Sequence, residues 1–96
     1  MNEVFLIGKV IGDVKFDFII NSKKISITNF IIETLDEQKI YIRCYDKLAD
    51  FSYRRLSNVD VIFIYGQLKL NYVFAKEINI LTYWFICYWI ITDFMI

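Results

Sequence analysis

Side chains alternate between apolar and polar with a period of two residues along much of this chain, which is the pattern of β-strands with one buried face. The clearest case opens the stretch KIYIRCYDKLADF, at residues 39–51. The two faces of this predicted strand differ in chemistry: Ile40, Ile42 and Cys44 on one, Tyr41, Arg43 and Tyr45 on the other. β-branched and aromatic residues, which favour strands, dominate elsewhere too, and the chain has no proline.

Five strands and one helix are predicted in order. The strands are expected at residues 3–11 (resuming at 14 after a bend), 24–34, 39–45, 60–70 and 73–80. The helix lies between the third and fourth strands, with Asp46 as the N-cap because its carboxylate can accept unpaired backbone N–H groups. Leu48, Phe51 and Leu56 are expected on its buried side. This order predicts an all-β protein, a five-stranded OB-fold Greek-key barrel with one helix between strands 3 and 4.

Two irregularities are predicted within the strands. Gly8 stands inside the first strand, where glycine indicates a bulge or a close approach of another backbone. In the second strand, Ile25 and Ile27 share one parity, whereas Phe30 and Ile32 take the other. A change of parity by one residue predicts a β-bulge there.

The composition limits the classes of function. The chain has 96 residues, room for one small domain, and a hydrophobic content of 57%, which excludes a disordered chain and favours self-association. Lys and Arg together number 11, as do Asp and Glu, so the net charge is zero. Nucleic-acid binders are usually basic. Any such binding must therefore depend on where the charges are placed.

Catalytic and metal-binding patterns are missing from the sequence. There is no histidine, and the two cysteines, Cys44 and Cys87, fit no zinc spacing. No acid–base pair or nucleophile elbow is recognisable. The sequence therefore predicts a protein that is not an enzyme, with no metal, cofactor or small-molecule substrate. The first residues lack the features of a signal peptide, which predicts a cytoplasmic protein with reduced thiols.

Three segments resemble the bacterial single-stranded DNA-binding proteins of the SSB family. They are MNEVFLIGKVIGDVKF at the start, RCYDKLADF at the end of the third strand, and VIFIYGQLKL in the fourth. Each motif is short, but all three occur in the family's order, and all three glycines of the chain fall on glycines of its pattern. The resemblance implies a shortened OB-fold member, with an OB-fold domain at residues 1–81 and an apolar C-terminal extension at 82–96.

The resemblance also implies a function. Members of the family bind single strands without sequence preference, by stacking bases on aromatic rings and holding phosphates with Lys and Arg, in replication, recombination and repair. It places a stacking aromatic of the family at Tyr45. The candidate nucleic-acid-binding residues are Tyr41, Arg43, Tyr45, Lys9, Lys15, Lys69 and Tyr72. The expected partners are single-stranded DNA or RNA and further copies of the chain, as a dimer or tetramer. The expected location is cytoplasmic and nucleoid-associated.

The chain departs from the family in its hairpins, and this leaves an alternative open. The long basic finger between strands two and three is replaced by LDEQ, and the hairpin between strands four and five by LNYV. An OB-fold interaction or assembly subunit that has lost nucleic-acid binding would explain these losses and the zero net charge. The row Tyr41–Tyr45 would then be ordinary cross-strand pairing. Phe63 and Tyr65 would pack on another subunit.

The C-terminal segment has alternatives of its own. Residues 78–92 carry no charge, but this is shorter than the ~18–20 apolar residues that span a bilayer. The segment could extend the fifth strand or form a helix in an oligomer interface. A membrane-surface segment usually has basic flanks, and none follow here. A tail without a selected role is the remaining alternative.

Overall fold

The computed structural model describes residues 2–20 and 24–81. The extension predicted at 82–96 lies outside the described residues. The elements are β1 (Glu3–Ile20), β2 (Lys24–Glu33), β3 (Lys39–Tyr45), α1 (Asp46–Arg55), β4 (Val61–Leu68) and β5 (Val73–Ile80). The predicted fold class is therefore confirmed: five strands form a closed sheet, with one helix between β3 and β4.

The strands close into a barrel in the order β1-β2-β3-β5-β4. The long strand β1 pairs with β2 on one side and with β4 on the other, which closes the barrel. All pairings are antiparallel except that of β3 with β5, where Ile42 lies opposite Val73 and Arg43 opposite Phe74. This short parallel contact brings together residues that are distant in the sequence.

The barrel interior is filled by the inward-facing residues of the strands, which are nearly all aliphatic. The most deeply buried are Val10, Ile32, Ile42, Cys44, Ile62, Ile64 and Val73. Burial of one such aliphatic side chain stabilises the fold by about 1.5–3 kcal/mol relative to leaving it exposed. The helix packs on this core through Ala49 and Ser52. The Thr28 hydroxyl ties it to β2 by donating a hydrogen bond to the carbonyl of Ala49, 2.7 Å away.

Two predictions about the helix are wrong. The N-cap position is Tyr45, and Asp46 is already the first helical residue, with a positive φ of 55°. The strand stays extended through Tyr45 and the helix begins directly after it, one residue earlier than a cap at Asp46 requires. Phe51 is also not buried, since 37% of it is exposed. The small residues Ala49 and Ser52 face the barrel, and Phe51 lies about 200° around the helix from Ala49.

The predicted bulge in β2 is also wrong. The register between β2 and β3 is continuous from the pair of Ile27 and Tyr45 onward. The irregularity lies in β1 instead, between the pairs formed by Ile11 and Lys15 with β2. Gly12, with a φ of +75°, turns the chain there, and its N–H donates to the Asn58 side-chain oxygen at 3.0 Å. Ile27 is buried although it lies on the outward-facing side of β2. Apolar residues therefore occur on both sides of this strand without a bulge.

Two glycines lie where another backbone approaches closely. A Cβ at Gly8 would lie 3.0 Å from the carbonyl oxygen of Glu33, which agrees with the close approach predicted from the sequence. A Cβ at Gly66 would overlap the carbonyl oxygen of Phe74, at the register shift between β4 and β5. In the part of the chain that the structure describes, no helix is long and apolar enough to cross a membrane.

The Gly66 contact gives the first prediction. Gly66→Ala should lower the free energy of unfolding by about 1–3 kcal/mol, because the added methyl group meets backbone that must move. Chemical denaturation followed by circular dichroism measures this. Gly12→Asn is the control, since a Cβ at Gly12 meets nothing and Asn tolerates a positive φ. A Gly66 variant no less stable than the Gly12 variant would contradict the close approach.

The second prediction concerns Cys44. Burial raises the pKa of its thiol to about 11, although the hydrogen bond from the Ser52 hydroxyl opposes this shift. At pH 8 only about one thiol in a thousand would then be the reactive thiolate. In a Cys87→Ser variant, Cys44 should stay unmodified by an aromatic disulfide reagent until the protein is unfolded. Rapid modification of the folded protein would show that Cys44 is not in the core.

Candidate nucleic-acid interface

The outward face of β3 carries the aromatic and cationic row predicted from the sequence. Tyr41 is 61% exposed, and Arg43 and Tyr45 are half-buried. Strand pairing extends the row sideways: Lys15 on β1 faces Asn29 on β2, which faces Arg43, which faces Phe74 on β5. Four strands thus contribute to one continuous outer surface.

Arg43 is held in place by contacts on two sides. Its Nε donates a hydrogen bond to the side-chain oxygen of Asn29, at 2.9 Å. Its guanidinium carbon lies 4.4 Å from the centre of the Tyr72 ring, within cation–π distance. Since Tyr72 comes from the connection between β4 and β5, Arg43 fixes that connection against the sheet.

Two neighbouring grooves open on this surface. The larger, of about 320 Å³, brings together four of the predicted site residues: Lys15, Tyr41, Arg43 and Tyr72. The smaller, of about 200 Å³, contains Lys69 and again Tyr41 and Tyr72. Tyr41 and Tyr72 line both grooves, so the two rings stand between them.

The charges of the grooves are unbalanced, although those of the chain are not. Lys15 and Arg43 line the larger groove with Asp13 as the one carboxylate, and Lys39 and Lys69 line the smaller groove, which has no carboxylate among its described lining residues. The two grooves together thus hold four cations and one anion. An anionic ligand would be attracted here despite the zero net charge.

Tyr45 lies on the same face but outside both grooves. Its ring packs against Phe74, with the ring centres 5.3 Å apart and the planes at 39°. This contact continues the aromatic surface along β3 and β5 beyond Arg43.

Lys9 is the one predicted residue that the structure sets apart from the others. Lys9 is exposed on β1, and its pairing partner on β2 is Glu33. Glu33 pairs in turn with Lys39 on β3. Lys9 lines a different groove, of about 390 Å³, with Ile7 and Leu35.

Sequence reasoning missed Asn29 and Phe74 as parts of this surface. Asn29 could have been found, because a hairpin closed between Glu33 and Lys39 sets Asn29 opposite Arg43. Phe74 could not, because its position beside β3 depends on the parallel pairing that closes the barrel.

The arrangement suits stacking and charge recognition. Exposed rings can pack against flat groups, and the lysines can hold anions beside them. Across residues 2–20 and 24–81, no three side chains of the metal-ligating types come together to hold an ion.

Comparison with known proteins connects this chain to others through its fold. No protein-family model matches its sequence, and no curated protein does. Solved structures do match, and the SSB domain of a Synechococcus sp. protein has a TM-score of 0.75 at 12% identity, covering 82% of this chain and 94% of that one. The single-stranded DNA binding protein from Thermus aquaticus gives 0.76 at 15%, over 83% of this chain and 40% of that one.

A third structure is more similar in sequence. The N-terminal domain of PriB from Thermoanaerobacter tencongensis, described as dimeric, is 26% identical, with a TM-score of 0.59 over 82% of this chain and 94% of that one. The structural neighbours are thus bacterial SSB proteins, as the sequence resemblance implied, together with PriB proteins. The chain thus has the OB fold of these SSB and PriB domains.

Proposed function

We propose that this protein binds single-stranded DNA without sequence preference, along the two grooves that flank Tyr41 and Tyr72. The observation that carries the proposal is the placement of these two rings between grooves that hold four cations and one carboxylate. The names of the structural neighbours, which include SSB proteins from several bacteria, support the same class of ligand.

Stacking supplies the contact with the bases. Tyr41 offers the most exposed ring, and Tyr72 offers the part of its ring that Arg43 leaves uncovered. Bases lying in the two grooves would stack on Tyr41 from opposite sides, and on Tyr72 only at the face that Arg43 does not cover. Stacking of a base on an aromatic side chain contributes about 1–3 kcal/mol and tolerates any base.

Cations on either side of the rings supply the contact with the backbone of the strand. Lys15 borders the larger groove and Lys69 the smaller one, so a strand that crosses the two rings passes both. Arg43 adds charge, but its Nε is already used by Asn29. We infer that Arg43 mainly supports the Tyr72 ring and turns its terminal N–H groups toward a phosphate.

The lack of sequence preference follows from the same geometry. The side-chain oxygen of Asn29, the one amide of β2 in the larger groove, accepts a hydrogen bond from Arg43. This bond holds Arg43 in place, and the contacts with the bases are left to stacking, which tolerates any base. Tyr45, packed on Phe74, extends the stacking surface to a further base.

The wider role belongs to the same proposal. A protein of this kind would act in replication, recombination or repair, in the cytoplasm and associated with the nucleoid. Assembly into a dimer or tetramer is supported by the PriB N-terminal domain, which is described as dimeric. Competition between DNA and RNA of equal length measures the preference between these two ligands.

An assembly subunit that has lost nucleic-acid binding is the second candidate. The observation that favours it is the exposure of Phe5 and Ile7 on β1, which gives the barrel an apolar surface away from the grooves. Under this candidate function, the region from Tyr41 to Tyr72 would support the fold and bind no nucleic acid. Absence of binding at low salt by a folded sample would favour this candidate.

The third prediction tests the stacking. Tyr41→Ala should weaken binding to a fluorescein-labelled oligothymidylate by roughly 5- to 150-fold, the equivalent of about 1–3 kcal/mol for one stacked base. Fluorescence anisotropy at low salt measures the affinity. Tyr53→Ala is the matched control, because Tyr53 is also exposed but lies on the helix. Equal effects of the two substitutions would argue against a stacking role for Tyr41.

The fourth prediction tests the cations. If Lys15, Arg43 and Lys69 neutralise three phosphates, the logarithm of the affinity should fall against the logarithm of salt concentration with a slope of roughly −2. Lys15→Gln should reduce the steepness of this slope by about 0.7, the contribution of one phosphate contact in a single strand.

Lys9→Gln is the matched control for the salt experiment, since both lysines are exposed residues of β1. If the DNA strand is confined to the two grooves, the slope measured for Lys9→Gln should equal the wild-type value. A slope reduced as much as by Lys15→Gln would extend the interface to Lys9, as the sequence analysis predicted. Binding that does not depend on salt would contradict a phosphate-based interface altogether.

A further inference from the structure

A second surface of the barrel is apolar and lies apart from both grooves. We define the β1–β4 patch as the outward-facing residues Phe5, Ile7, Val61 and Phe63. Phe5 is 66% and Ile7 47% exposed. Strand pairing sets Ile7 beside Phe63, and the rings of Phe5 and Phe63 lie with their centres 6.1 Å apart.

The patch ends in a depression. Ile7 and Val61 form part of the groove of about 390 Å³, together with Leu35 from the connection between β2 and β3. Leu35 is 99% exposed. Lys9, Glu33 and Glu37 also line this groove, so its apolar part is the side formed by Ile7, Leu35 and Val61. An exposed leucine beside other apolar side chains indicates that another group covers this end of the barrel.

The described chain ends at this same place. The N–H of Leu81 donates a hydrogen bond to the carbonyl of Val61, at 2.7 Å, and Asn79 pairs with Phe63. Leu81, the last described residue, therefore lies at the edge of the β1–β4 patch, next to one of its members.

The residues that follow have the composition of a covering segment. Residues 82–96 read TYWFICYWIITDFMI, with Asp93 as the one charged side chain. Along β4 the patch runs from Val61 to Tyr65, the partner of Phe5, which is four residue steps or about 14 Å. A chain of this length can reach about 50 Å when extended, so it can cross the patch without a second copy.

We propose that residues 82–96 of the same chain cover the β1–β4 patch, with the aromatic run Tyr83–Phe85 entering the groove beside Ile7, Val61 and Leu35. The occupant is assigned to the same chain because the segment is joined to Leu81, which bonds to Val61 of the patch. Its local concentration at the patch therefore exceeds that of any free partner. This inference goes beyond the proposed function and does not rest on it.

Tryptophan fluorescence of the full chain tests the proposal directly. Both tryptophans of the protein, Trp84 and Trp89, lie in this segment, so their emission reports on it alone. The wild-type emission maximum should be blue-shifted relative to the urea-unfolded chain. Ile7→Lys should shift it toward the unfolded value and raise acrylamide quenching, because a charge then stands in the patch.

Leu70→Lys is the matched control. Leu70 is 96% exposed, in the connection between β4 and β5 and outside the patch, so the same change of side chain there should leave the emission as in the wild type. Phe5→Ser is the second variant of the patch, to be used if Ile7→Lys does not fold by circular dichroism. It should act in the same direction.

The outcomes separate the possible occupants. The proposal is supported if the wild-type emission maximum is blue-shifted, does not change with protein concentration, and shifts to the red in either patch variant. Emission that red-shifts on dilution, together with a fall in mass by light scattering, would assign the patch to a second copy. Burial that develops only on adding phospholipid vesicles would assign the segment to a membrane surface. Either of these results, or no response to the patch variants, overturns the proposal.

Discussion

The parallel contact between β3 and β5 is the interaction on which both the barrel and the candidate interface depend. It consists of two residue pairs, Ile42 with Val73 and Arg43 with Phe74. The inward members of these pairs are buried in the core, and the outward members belong to the candidate interface. Closing the barrel therefore assembles the site in the same step, since Arg43 reaches Tyr72 only when β5 lies beside β3.

The interface illustrates how a chain with zero net charge can present a cationic surface. Charge placement on the sheet, and not the total, decides the local field. In the larger groove, Arg43 is held by Asn29 and by the Tyr72 ring, which leaves the guanidinium fixed before a ligand arrives. Fixing a long side chain in advance removes part of the entropic cost of binding. If the proposed function holds, this preorganisation would offset part of the contact surface that the short hairpins do not supply.

The outside of the barrel is divided between two kinds of surface. The larger groove lies where β1, β2 and β3 run together, and combines rings with cations. The β1–β4 patch lies where β1 pairs with β4, and combines rings with aliphatic side chains. One long strand contributes to both because β1 pairs with β4 up to Lys9 and with β2 from Lys9 onward. A ligand on one surface thus need not compete with whatever covers the other.

The sequence by itself determined the order of the strands, the single helix, the core parity of Cys44 and the outward row from Tyr41 to Tyr45, because these follow from a local period of two and from local turns. It misplaced the helix cap and the bulge, and it counted Phe51 as buried. The helix cap and the exposure of Phe51 depend on how the helix approaches the barrel. The place of the irregularity depends on which of two paired strands carries the residues without a partner. Only the tertiary structure separated Lys9 from the grooves and set Phe74 beside Tyr45, because residues distant in sequence meet only through barrel closure.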